Sequence, residues 1–389
     1  MIVNQIYSLI NAVSNECWGL AAPTVKDLSG LISLGESING GQFTAGADKF
    51  LDKLVDKVSK TVIRTVDRRL DMPKLLMEGI VFGSMIEKVD VQPISATKDN
   101  SWNIGAGDYS TDYFTVYKPN IDVTLFKDID TWKVSVSVPD VLFRSAFTSE
   151  SAMNSFITAI MDSLTGSLES QLNKMSHICV CNFIGEKKKN SNGIVNLVTM
   201  YNTSKGYTSE SAGYQPIGKS ALYNKDFLNY ASYVINNYIA YMEDEGTFYN
   251  VGSKIRATSR DNMHVMMLKA FTSACDSFLS SSTFHNELVS LPLYSSVNYW
   301  QYNAGEDFDY KAGIIVIPSS EKNAENKTTQ TVENVIGVLA DRQAIAVSMY
   351  ERWSASDRIN SERRTNFTQG ANIGYINDIS ENGIILTLN

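Results

Sequence analysis

The chain has 389 residues, 43% of them hydrophobic and 20% charged, and its 34 Lys and Arg against 42 Asp and Glu leave a net charge of −8 with histidine neutral. That length admits two or three compact units with a sizeable core, and the composition excludes global disorder. The acidic balance argues against a protein that wraps DNA directly, because counterion release needs clustered Lys and Arg on the contacting face; a local basic face stays open.

Residues 1–46 mix short apolar stretches with Gly, Ser and Asn and read as an irregular or partly helical arm. Leu51, Leu54, Val55, Val58, Val62, Val66 and Leu70 then recur at three- and four-residue steps, which predicts an amphipathic helix ending before Pro73. From about residue 80 to residue 138 the period becomes two. Ile121, Val123 and Leu125 alternate with polar residues, as do Val134, Val136 and Val138, so these are strands. The stretch between them, from Ser95 to Asn120, has too little apolar content for a core of its own. It reads as a long two-stranded excursion that needs something to lie against.

Behind Thr148 and Ser149 as caps, Met153, Phe156, Ile157, Ile160, Met161, Leu164, Leu168, Leu172, Met175, Cys179 and Phe183 keep helical spacing up to Gly185. A helix from Glu150 to Ile184 would be roughly 50 Å long, long enough to act as a backbone for other elements, with Gly166 a place for a bend. Residues 186–193 mark a loop, and residues 201–220 are polar with several glycines. A Tyr-rich helix is expected over 226–242, and a second over 263–279 carrying Met266, Met267, Phe271, Cys275 and Phe278. Strand-like runs at 314–317 and 335–340 flank a polar loop. Two closing strands, 371–379 and 384–388, are expected to form a hairpin through Asn382-Gly383. The mixture indicates an α+β fold.

One stretch matches a chemical motif outright. Gly213-Tyr214-Gln215-Pro216-Ile217-Gly218-Lys219-Ser220 fits G-x-x-x-x-G-K-[ST], in which backbone amides cradle phosphates, Lys reaches them and Ser holds magnesium. A phosphate loop must follow a buried strand, whereas the residues before this one are polar and glycine-bearing. That context favours a surface loop, with Asp341 the acidic metal partner under the nucleotide reading. His177, Cys179 and Cys181 form H-x-C-x-C, but the helical pattern running through them puts only Cys179 on the packed face, so structural cysteines are expected. His264 and His285 sit in no motif. The pairs Asp128/Asp130 and Asp307/Asp309 read as solvated turn acids, since neither lies in a glycine-containing cation loop. Arg352, Arg358, Arg363 and Arg364 stand among Glu351, Asp357 and Glu362, which suits an ion-pair surface between subunits as well as a nucleic-acid contact.

The four cysteines, Cys17, Cys179, Cys181 and Cys275, are too sparse for a disulfide-stapled domain and point to a reducing compartment. The first twenty residues lack a basic start and a small-residue cleavage pattern, and no apolar run of about 18 residues occurs. The expectation is a soluble chain that is intracellular when made and has no membrane partner.

The order of these parts resembles a major capsid protein of a tailed bacteriophage, whose fold encapsulin shells share. Two stretches carry the resemblance. FRSAFTSESAMNSFITAIMDSLTGSLESQLNKM is similar to the family's spine helix after its extended loop. VIGVLADRQAIAVSMYERW, followed by NFTQGANIGYINDISENGIIL, is similar to its closing strands. The resemblance implies an N-terminal arm and helix (1–80), an extended hairpin with adjoining strands (81–140, the hairpin itself about 82–118), a peripheral domain (141–190 and 350–389) and an axial domain (191–349). It further implies a structural subunit that is no enzyme, with no catalytic, cofactor-binding or metal residues, self-assembling through hexamers and pentamers into an icosahedral capsid around double-stranded DNA.

The partners implied are copies of itself, a portal, a scaffolding protein, and DNA as a neighbour without sequence-specific binding. The place implied is the virion capsid, assembled in the host cytoplasm. Phe114, Val116, Tyr117, Val89 and Val91 are the expected lattice contacts, because an arm that cannot bury its own apolar residues gains that burial on assembly. The Asn-, Tyr- and Ser-rich usage points to a small short-tailed phage, a podovirus, of a Gram-positive host. The alternatives are a nucleotide hydrolase using Gly213–Ser220 and an encapsulin-like cargo shell.

Overall fold

A computed structural model describes residues 3–19, 24–39, 49–50, 53–54, 75, 86–94, 96, 118–126, 129–279, 294–300, 314–316, 330–359 and 362–389. Most of the helix expected over 51–70, the outer hairpin with Phe114, Val116 and Tyr117, and Asp128, His285, Asp307 and Asp309 lie outside the described residues.

Helices α1 (Val3–Trp18) and α2 (Leu28–Asn39) come first, then strands β1 (Ile86–Gln92), β2 (Asn120–Phe126) and β3 (Ile129–Pro139). Helices α3 (Asp140–Ala146) and α4 (Glu150–Lys189) follow, and β4 (Ile194–Asn196) leads into α5 (Leu197–Lys205) and α6 (Lys225–Glu243). The remainder is β5 (Met263–Leu268), α7 (Lys269–Leu279), β6 (Ser295–Val297), β7 (Ile314–Val316), β8 (Gln330–Val332), β9 (Val335–Asp341), β10 (Ile345–Ile359), β11 (Arg364–Asn377) and β12 (Gly383–Thr387). The α+β class expected from the sequence is the one observed. The chain divides into one unit of Met1–Val81, Ile129–His177 and Val347–Gly374 and a second of Phe82–Asp128, Ile178–Ala346 and Tyr375–Asn389.

In the first unit, the segment read as an arm is two packed helices. Tyr7, Ile10, Val13 and Cys17 of α1 and Leu31, Leu34 and Ile38 of α2 are buried with Phe147, Met153, Phe156, Ile160, Leu164 and Phe367. Small residues that look like loop punctuation are close-approach positions instead: a Cβ on Gly35 would lie 2.6 Å from Cγ of Phe147. The α1–α2 connection is latched by the Asn11 side chain, which donates to the Val25 carbonyl and accepts from its N–H, both at 2.7 Å. The sheet β10-β11-β3 uses the expected alternation. Val134, Val136 and Val138 line the core side, and the opposite face carries cross-strand polar pairs such as Ser135–Thr368 at 2.8 Å.

Helix α4 starts where predicted, with the Ser149 hydroxyl accepting from the Ala152 N–H at 3.1 Å. Of its predicted stripe, every residue from Met153 to Phe183 whose side chain is described is buried. It does not stop at Gly185 but continues through Lys189, 40 residues and about 60 Å. A buried glycine weakens a helix without ending it, and Lys187, Lys188 and Lys189 in the last turn complement the negative end of the helix dipole. His177 and Cys181 are buried along with Cys179, contrary to the one-sided expectation.

The second unit holds the sheet β4-β12-β9-β5-β6, covered by buried Phe227, Leu228, Ile235 and Ile239 of α6 and Phe271 and Cys275 of α7. Residues 263–268, expected to be helical, form an interior strand of it, between β9 and β6. All six are buried, so the strand has no polar alternation by which to recognise it. The closing strands do not form a hairpin, because β11 belongs to the three-stranded sheet and β12 pairs with β9 and β4. Neither Asn382 nor Gly383 has the positive φ that a type I′ turn requires.

Candidate functional site

Strands β1 and β2 are antiparallel, with Val89 opposite Val123, Val91 opposite Ile121, and Asp90 opposite Asp122. Because strand side chains alternate and opposite residues share a face, the ribbon has two distinct sides. One carries Val89, Val91, Ile121, Val123 and Leu125, all between 47% and 59% exposed. Five branched apolar side chains on one open face form a patch that ordinary monomer surfaces avoid.

The other side carries Lys88, Asp90 and Gln92, and it is seated on charges from two distant segments, residues 254–256 and 378–381. Asp90 takes a two-pronged hydrogen bond from Arg256, Nη1 to Oδ1 at 2.7 Å and Nη2 to Oδ2 at 2.5 Å. Lys88 Nζ lies 2.6 Å from Asp378 Oδ2 and 2.5 Å from Glu381 Oε1. Lys254 bridges Asp122 at 2.7 Å and Asp90 at 3.5 Å, and the Ile255 N–H donates to the Gln92 side chain at 3.1 Å. Arg256 closes the ring with Glu381 at 3.3 Å.

Buried amides hold the seat in place. Asn250 donates to the Lys254 carbonyl at 2.7 Å and accepts from its N–H at 2.9 Å. Asn382 joins Asn250 at 3.4 Å and Thr258 at 3.3 Å. Thr258 in turn donates to Asp341 at 2.8 Å.

The electrostatics follow the geometry. Burial alone would raise the Asp90 carboxyl, but the hydrogen bonds and charge of Arg256 bring it below its usual range. Asp378 is likewise lowered, with Lys88 overcoming the effect of burial, whereas burial wins at Glu381 and raises it. Beneath the seat Lys187 is pulled down to about 7 by burial, against the attraction of Asp378 and Glu381.

The sequence-predicted sites are placed elsewhere or come apart. The segment Gly213–Ser220 follows an irregular stretch instead of a strand, and its Lys219-Ser220 end opens a five-residue 3₁₀ turn, Lys219–Tyr223, that separates it from α6. The Gly218 N–H, an amide that a phosphate would need, donates to the Leu388 carbonyl at 3.0 Å. Gln215 is stapled to Asn202 by bonds of 2.8 and 2.9 Å. Asp341, the metal partner under that reading, is engaged by Thr258 and by the Gln343 N–H at 2.8 Å.

Cys181 donates to the Trp300 carbonyl, and burial pushes Cys181 and Cys275 up to about 12, so both are thiols near neutral pH and poor nucleophiles or ligands. Among the described residues no group of His, Cys, Asp and Glu is arranged to hold a metal, and no helix is long and apolar enough to cross a membrane. His264 is buried in β5. Arg364 pairs with Glu362 at 2.5 Å, so the basic segment is partly neutralised by its own acids. No local sequence pattern marks the charged seat; its trace there is Lys88-x-Asp90 facing Lys254-x-Arg256, two alternations about 165 residues apart.

Residues 10–387 match the family described as Phi29-like phage major capsid protein. The chain belongs to this family. It is therefore a structural subunit of a phage capsid shell, a component of the virion that forms a lattice with copies of itself. Three solved structures illustrate what this Phi29-like capsid chain is similar to. One is the capsid structure of Staphylococcus phage Andhra, 9% identical over 83% of this chain and 87% of that one, with a TM-score of 0.47. Another is the structure of head fiber and inner core protein gp22 of native bacteriophage P68, 10% identical over 84% and 86%, TM-score 0.48. The third is the capsid structure of the cyanophage P-SCSP1u, 10% identical over 81% and 86%, TM-score 0.43. A comparison with curated protein sequences returns no match.

Proposed function

We propose that this subunit closes an icosahedral shell of hexamers and pentamers around double-stranded phage DNA, and that the β1–β2 hairpin is the arm it lays on a neighbouring copy. The observation that carries the reading is the asymmetry of the hairpin. Its polar face is paired within the subunit, while its apolar face, with Val89 and Val91 each 59% exposed, has no cover among the described residues. A two-stranded ribbon is marginal alone, and burial of that face against a second copy supplies what the isolated chain lacks.

In this reading residues 1–80 are the N-terminal arm and helix, 81–140 the hairpin with its strands, 141–190 and 350–389 the peripheral domain, and 191–349 the axial domain. Portal and scaffolding proteins are its further partners, and assembly takes place in the host cytoplasm. A charge of −8 suits a wall that DNA neighbours without being held to it. The protein acts without catalysis, and the engaged Gly218 amide supports that part of the proposal.

Negative-stain microscopy of the expressed full-length protein, alone and with a scaffolding partner, tests the proposal. Closed shells or ring-shaped capsomers are expected. A persistently monomeric species that binds nucleotide would overturn it.

A further inference from the structure

Every charged side chain on the polar face of the hairpin has an opposite charge across from it. Lys88 meets Asp378 and Glu381, Asp90 meets Arg256 and Lys254, and Asp122 meets Lys254. The signs alternate along β1 and are complemented in order by the seat. A ribbon shifted by two residues would set Lys88 in the place of Asp90, against Arg256 and Lys254. A shift by one would turn the apolar face onto buried carboxylates. The contacts are also short and directional. The Arg256 fork on Asp90 constrains orientation as well as distance, and the side chains of Asp90, Asp378 and Glu381 are 10%, 7% and 6% exposed, where solvent screens them weakly.

We propose that Lys88 and Asp90 are positioning residues: their ion pairs to Arg256, Asp378 and Glu381 fix the register and direction of the hairpin in the free subunit, so that its apolar face is presented ready to dock. The proposal rests on the hairpin being the assembly arm. It adds that the arm is preorganised by a charge code, which lowers the ordering penalty paid at docking.

Hydrogen exchange on the unassembled full-length subunit reads this directly, independently of whether shells form. Asp90→Asn should speed exchange of the β1 and β2 amides by about tenfold or more while leaving β5 and β9 unchanged, since losing a charge-assisted fork frees the ribbon locally. The conservative Asp90→Glu, which keeps the charge that Arg256 and Lys254 face, should retain part of the protection that Asp90→Asn loses.

Unchanged hairpin protection in Asp90→Asn overturns the proposal, and so does an equal loss in β5 and β9, which marks a merely structural role. The two readings fail separately. If Asp90→Asn keeps its hairpin protection and wild-type shells still form, positioning is wrong and the shell arm stands. If the exchange results are as expected but the purified wild type with its scaffolding partner yields no particles, the arm reading fails and the clamp stands as a local device.

Discussion

The ammonium group of Lys187, a residue with none of its surface reaching solvent, donates to the backbone carbonyl of Tyr249 at 2.6 Å. Its other neighbours are the Glu381 carbonyl at 3.5 Å, the Phe183 ring at 5.4 Å, and the charges of Asp378 and Glu381. Burial lowers its pKa to about 7, against an ordinary value of 10.5 in the unfolded chain. Between those values the unfolded chain holds the proton that the folded chain has given up, so this residue makes stability rise with pH above about 7. Below 7 both states are protonated and the gain disappears. Relative to Lys187→Met, the wild type should gain about 2 kcal/mol from pH 7 to pH 9, up to about 1.4 kcal/mol per unit. The window stops at 9 because Cys181 and Cys275, raised by burial, act in the opposite direction above it. Denaturant midpoints at three pH values check this, and parallel curves for the two proteins would refute it.

Two glycines share a backbone conformation but not an environment. Gly193 has φ +69° and Gly206 φ +68°, so alanine at either pays a left-handed penalty of about 1 kcal/mol. At Gly206, which caps α5, nothing lies within 4 Å of a new Cβ. At Gly193 that atom would sit 2.4 Å from the backbone oxygen of Gly383, which no side-chain rotation relieves. Gly193→Ala must push β4 and β12 apart and should lose on the order of 3 kcal/mol, against about 1 for Gly206→Ala. Thermal unfolding of the two variants side by side measures the difference, and equal shifts would show that the clash is relieved cheaply.

What could be read from the sequence was what local periodicity encodes. The α4 stripe from Met153 to Phe183 keeps one face apolar over many turns, and β3 alternates cleanly because one of its faces carries polar side chains. Interior strand β5 carries no mark that separates it from a helix, because burial on both faces erases alternation. Asn382-Gly383 makes no hairpin turn because the Asn382 side chain bonds Thr258 and Asn250, more than 120 residues away, and not its own turn. The seat for the hairpin was illegible for the same reason. Lys88, Arg256 and Glu381 come together only once the sheet has formed, and no local pattern announces a pairing across that separation.

The Gly213–Ser220 segment gives a prediction of indifference. With the Gly218 amide committed to Leu388 and Ser220 receiving the Gln215 side chain at 3.3 Å, the loop has no open cradle for a triphosphate. Magnesium ATP should show no calorimetric binding to the wild type at millimolar protein-to-ligand excess, and Lys219→Ala should give the same trace. Magnesium-dependent binding that Lys219→Ala removes would revive the nucleotide site.

Val89 and Val123 face each other across the ribbon, 59% and 52% exposed, and differ from core valines in what their loss should do. Removing a buried methyl pair destabilises the fold, but these side chains contribute little to a fold that leaves them in water, so Val89→Ser with Val123→Ser should change subunit stability by less than about 0.5 kcal/mol. Under the proposed docking of the hairpin the same two side chains are buried once per subunit. Each valine-to-serine change forfeits about 1 kcal/mol or more of transfer free energy at every such contact. Because a shell repeats the contact in every subunit, small losses multiply, and particle yield should fall steeply while the free subunit keeps its unfolding midpoint. Particle counts by microscopy beside thermal unfolding separate the two effects. Normal yield would show that this face is not the one that docks, and a lowered midpoint would show that it already belongs to the folded core.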